Sequence, residues 1–202
     1  MPAPSTSPLL PGAPRPPRLR LLLLAVLVAL AAVPLRASIV RLLGLPELLA
    51  RAEVVAVATV ESAVSSWVGG RIVTDSTLRL DEPIRGGARG DSVTVRTLGG
   101  EVDGIGQRVF GEPWFRPGER YLVFLERFPG AVDPPRFRPV GMAQGALPVL
   151  DTPEGPVVAP PPDPPLCIVP SAAASVAPWL DAPRPLDAAL AELRAAAAEA
   201  AP

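Results

Sequence analysis

The chain has 202 residues and a formal net charge of −1; its nineteen basic residues are all arginine, and histidine is absent. That balance excludes a basic nucleic-acid surface, and without histidine or lysine the usual bases of acyl transfer are missing. One cysteine cannot close an internal disulfide, so a domain of this length must be held by its own core or by a partner.

The chain opens with Arg15, Arg18 and Arg20 set among prolines, followed by an unbroken apolar run from Leu21 to Val33 that stops at Pro34. A basic stretch before an apolar run shorter than the ~20 residues that span a bilayer is the pattern of an export signal. Cleavage after Ala37 would make residues 1–37 a signal peptide. The alternative is an uncleaved single-pass anchor, with the membrane contacted through residues 21–33 alone.

Leu45 to Ala52 reads as a short helix, with Pro46 in its first turn and Glu47 at its positive end. Glu53 to Glu61, EVVAVATVE, is β-branched on both faces and reads as a buried strand. Ser65 to Gly70 reads as a turn, with Gly69 and Gly70 supplying positive φ. A second strand starts at Arg71 and places Ile72, Thr74, Ser76, Leu78 and Leu80 on one side, and Asp81 to Gly90 is a connection. In the stretch from Asp91 to Glu126, Val93 and Val95 alternate with polar residues, as on a peripheral strand. Tyr121 to Leu125 is apolar on both faces, as on a central one. A glycine-dense loop joins the two. Arg136 to Val140 and Met142 to Val149 are short strands, which brings the expected total to about six. The fold class is therefore mainly β: a small antiparallel OB-like barrel or sandwich over residues 38–150, with a short N-terminal helix. Residues 151–185 are proline-dense and read as a wrap or linker. Residues 186–200 form a C-terminal helix whose stripe of Leu186, Leu190, Leu193 and Ala197 either docks on the barrel or takes a partner.

Trp67, Arg71, Trp114, Phe115 and Arg116 are the candidate binding residues, because aromatics beside arginine that strand alternation does not explain are the material of an interaction hot spot. The competing reading makes these aromatics plugs for the barrel ends. Glu101 and Asp103 lie on a glycine loop but supply too few oxygens for calcium, and Gly104-Ile-Gly106 lacks the third glycine of a dinucleotide loop. Ser62, Ser65, Ser66 and Ser92 have no base. Asp81 with Glu82, or Glu101 with Asp103, are the carboxylate pairs a hydrolase would need. Cys167 reads as a small apolar residue. No metal or other cofactor is expected, and the expected partner is a protein or another envelope ligand.

Ala52 to Val60, Ser66-Trp67, Gly99-Gly100 and Phe115 to Leu125 resemble a class of exported bacterial proteins of unknown function, over residues 46–149. The order of helix and strands, and the buried strand set against a long loop, is more distantly similar to the OB-type barrel of netrin-like domains in tissue inhibitors of metalloproteinases. Those inhibitors chelate zinc through an N-terminal cysteine, which this domain lacks at its start, so that activity is not implied. The sequence as a whole points to an exported noncatalytic binding or structural module of the cell envelope. A carboxylate-based envelope hydrolase and a membrane-tethered β domain are the alternatives.

Overall fold

The computed structural model describes residues 40–130, 134–161, 168–169 and 182–199. The apolar run expected to direct export, Cys167 and much of the proline-dense stretch lie outside the described residues. Helix α1 (Leu45–Arg51) starts as expected, with Glu47 accepting the Gly44 N–H at 3.3 Å. It leads into a hairpin of two long strands, β2 (Val54–Val68) and β3 (Arg71–Arg85), with Gly69 and Gly70 at φ 57° and 76° between them. The expected turn at Ser65 to Val68 is corrected here: only the two glycines turn, and the preceding residues continue β2. The connection at Asp81 to Gly90 is shorter than expected for the same kind of reason, since β3 runs on to Arg85.

Strand β4 (Ser92–Leu98) pairs with β3, and after the small hairpin β5 (Gly100–Val102) and β6 (Ile105–Gln107) the chain returns in β7 (Arg120–Arg127), which pairs with β2. Strand β8 (Arg136–Pro139) lies parallel to β4 at Thr94 and Val95 and antiparallel to β7 at Leu125 to Arg127. The pairings β2–β3–β4–β8–β7 thus lead back to β2. The ladders at β8 are only two and three residue pairs long, so the ring is a partly open, OB-like barrel.

A 3-10 turn (Met142–Gly145) then passes the chain to β9 (Ala146–Thr152), which pairs with the first half of β7, and β10 (Gly155–Val158) and β12 (Arg184–Pro185) extend the sheet beyond it. A separate two-residue parallel ladder joins β1 (Val40–Arg41) to β11 (Ile168–Val169). Within the stretch expected as a wrap or linker, β10 and β12 belong to the sheet. Helix α2 (Leu186–Glu199) follows.

Two apolar layers explain the strands with two apolar faces. Ala56, Ala58, Val60, Tyr121, Val123 and Leu125 point into the barrel with Leu78, Leu80 and Val95. Val55, Val57, Leu122 and Phe124 point the other way, beneath Leu48 and Leu49 of α1 and Leu186, Leu190 and Leu193 of α2. Burial of the α2 stripe at home, at ~1.5–3 kcal/mol per large side chain, is what holds that helix.

Candidate functional site

The long connection from β6 to β7 shapes a wide groove. It is anchored near both ends: the Gly111 carbonyl accepts the Ala143 N–H at 2.8 Å, and the Gly118 N–H donates to Val60 O at 2.8 Å. Between these anchors two adjacent aromatics diverge. Phe115 is buried in the barrel, edge-on to Tyr121 with ring centroids 5.0 Å apart, whereas Trp114 is 50% exposed. The expectation that Trp114 and Phe115 share a surface is thus corrected: Phe115 is a plug and only Trp114 faces out.

The groove encloses about 510 Å³ between this connection, the start of β7 and β9, with Pro148, Leu150 and Pro161 along its far wall. It exists because the outer edge of β7 pairs with β9 at Arg120 to Val123 and with β8 only from Leu125 onward. Its charges are mutually satisfied in part: Arg116 lies 3.6 Å from Glu119, and Arg120 pairs with Asp151. The Tyr121 hydroxyl lies 2.6 Å from Glu119 and 3.0 Å from the Trp114 carbonyl. Burial, and then its bond to Glu119, push the phenol above its ordinary range.

Glu112, which the sequence reading passed over, lines both this groove and a smaller cleft with Arg51, Glu126 and Arg138. Burial pushes its carboxyl up to about 7, against the opposing pull of the Leu98 N–H it accepts and of Arg138. In sequence it is one more carboxylate, between Gly111 and Pro113, with nothing to single it out.

A second, smaller pocket of about 250 Å³ lies at the barrel mouth, where Ala63, Ser65, Thr74 and Thr97 face Trp114 and Phe115. Ser65 and Thr74 hydroxyls lie 2.9 Å apart, and Thr74 donates to Gly99 O at 2.7 Å. A Cβ on Gly100 would collide with both hydroxyls, so this glycine allows β5 to cross them closely.

Trp67 and Arg71 are not brought into the groove. They sit near the tip of the β2–β3 hairpin, with Trp67 opposite Ile72 and Arg71 opposite Val68. Trp114 and Arg116 share both pockets. Glu101 and Asp103 lie in the β5–β6 hairpin, and the described residues contain no group of three acidic or cysteine side chains that could hold a metal ion. Among the described residues no helix is long and apolar enough to cross a membrane. No family model, curated protein or solved structure matches the chain.

Proposed function

We propose that the chain is an exported, noncatalytic binding module of the cell envelope whose ligand occupies the groove beside Trp114. The observation that carries this reading is the half-exposed indole standing over a groove of about 510 Å³ on a connection pinned near both ends. A large aromatic held in place by its neighbours contributes contact area at low entropic cost, as binding hot spots require. The resemblance to exported envelope proteins and to netrin-like barrels enters as scaffold only. The test is cosedimentation of the full chain with envelope fractions of the cells that make it, together with the intact mass of the mature form. Binding of a species starting near Ser38, lost in both Trp114→Ala and Leu150→Asp, is the expected result. Residence in the cytoplasm, or envelope binding indifferent to both substitutions, would overturn it.

A second reading is favoured by one observation, the elevated carboxyl of Glu112 in a groove that also holds Glu119 and Asp151. One protonated and one ionised carboxyl are the parts of a carboxylate hydrolase. Release of reducing sugar from envelope glycans, abolished in Glu112→Gln, would replace the noncatalytic reading with this one.

A further inference from the structure

Strand β7 covers the outer edge of β2 only as far as Val60, whose N–H donates to Glu119 O at 3.0 Å and whose carbonyl accepts from Gly118. Beyond it, from Ser62 to Val68, β2 pairs with β3 on one side. On the other side it has no backbone partner among the described residues.

Which groups are left over follows from the turn. A two-residue connection makes Val68 and Arg71 a hydrogen-bonded pair, and antiparallel ladders alternate from there. Trp67, Ser65 and Ala63 therefore direct their N–H and C=O away from β3. The residue opposite Trp67 confirms the parity, because Ile72 also turns away from the ladder: its N–H donates to Gln107 Oε1 at 2.9 Å and its carbonyl accepts from Gly99. Three residues thus present one donor and one acceptor each.

Beyond the register slip between Val60 and Ser62 the edge itself carries little of the usual protection. Between Ser62 and Val68 there is no proline and no charge, and Val64, Trp67 and Val68 are 64%, 48% and 44% exposed. Natural sheets block such edges with lysine, proline or a bulge because an open edge recruits another strand. Charge stands at its two ends and beside its middle: Glu61, next to Ser62, is engaged by Arg79 at 3.4 Å, and the Glu101 N–H lies 3.4 Å from Ser65 Oγ. Arg71 at the turn has no ion pair among the described residues. At the other end Arg116, with a side chain 69% exposed, has Glu119 at 3.6 Å as its one ion-pair partner among the described residues. Ala63 and Ser65 border the pocket at the barrel mouth, so a side chain of an added strand has somewhere to go.

We infer that the Ser62–Val68 edge of β2 docks an extended peptide segment of a partner protein, added as an antiparallel or parallel strand. The segment is uncharged and β-prone in its middle and acidic at its ends, to meet Arg71 and Arg116. This site is separate from the groove reading: it stands on the unpaired backbone of β2, and Leu150 plays no part in it.

The test uses the full chain and a fluorescent, end-blocked probe, Asp-Val-Thr-Val-Thr-Val-Asp, followed by anisotropy. Saturable binding is expected. N-methylation of one alternate set of probe amides should abolish it and N-methylation of the other set should leave it nearly unchanged, because only one set faces β2. Arg71→Ala and Arg116→Ala should each weaken it by about threefold. Ala63→Pro removes a donor that β3 does not use and should abolish binding, while Leu150→Asp should leave it intact even if it destroys envelope binding. Absence of saturable binding, equal loss from both methylated probes, or a concentration-dependent dimer that Ala63→Pro dissolves would each overturn the inference, the last by giving the edge to a second copy of the chain.

Discussion

Glu112→Gln isolates the electrostatic cost of the groove. The carboxyl is half-buried, and its rise from 4.5 to about 7 corresponds to roughly 3 kcal/mol when fully expressed, less whatever water reaches its open side. Below pH 4.5 the group is protonated folded and unfolded, so it exerts no net effect. As pH rises from 4.5 toward 7 the unfolded chain loses its proton first, the folded state binds more protons, and stability falls; above 7 the whole cost is present. Glutamine keeps an oxygen for the Leu98 N–H and removes the charge. Urea denaturation of wild type and variant should therefore give equal midpoints at pH 4 and a variant more stable by about 2–3 kcal/mol at pH 8. A difference of the same size at both pH values would refute the reasoning, since it would place the effect in packing or hydrogen bonding rather than in desolvated charge.

Phe115→Ala should destabilise the fold by about 3–4 kcal/mol in the same assay, through loss of the buried ring and of its edge contact with Tyr121; a loss under 1 kcal/mol would mean that the ring is not the plug of the barrel. Ser76 is fully buried among Leu78, Val95 and Ala63, and its Oγ has no hydrogen-bond partner among the described residues. Ser76→Ala should raise the denaturation midpoint by the equivalent of about 1 kcal/mol, because an unsatisfied buried hydroxyl is removed at little cost in volume; a decrease would point to a partner for that hydroxyl.

Much of the frame was legible in the chain because local chemistry and tertiary placement agree there. EVVAVATVE and Tyr121 to Leu125 are apolar on both faces, and each has the barrel interior on one side and a helix layer on the other. Pro46 and Glu47 mark α1, and Leu186, Leu190 and Leu193 mark the stripe of α2. Where the signal depends on distant partners it failed. Val157 and Val158 sit among prolines, yet β10 forms because Leu150 and Val149 lie across from them. Trp114 and Phe115 are neighbours with the same composition signal, and only the path of the connection sends one ring in and the other out. Glu112 carries no local mark of its elevated carboxyl, which arises from desolvation by remote elements.

The misreading of Ser65 to Val68 has a more specific origin, and it bears on both sites. β2 is fifteen residues long, about 50 Å if fully extended, which a small barrel can accommodate only if the strand bends. The ladder slips at Val60 to Ser62, leaving Glu61 unmatched, and it slips twice more where β3 carries an extra residue, at Ile84 and at Asp81. Bulges of this kind bend and twist a strand. The one at Glu61 also exchanges the two faces: before it Ala56, Ala58 and Val60 point inward, and after it Ala63 and Ser65 do. A period-two pattern read across Glu61 therefore loses phase and looks like a turn. The same slip brings Ser65, with the backbone groups of Ala63 and Trp67, to the side that β7 has left. The feature that hid the second half of β2 from sequence reasoning is the one that fixes which of its backbone groups stand open beside Trp114 and Arg116.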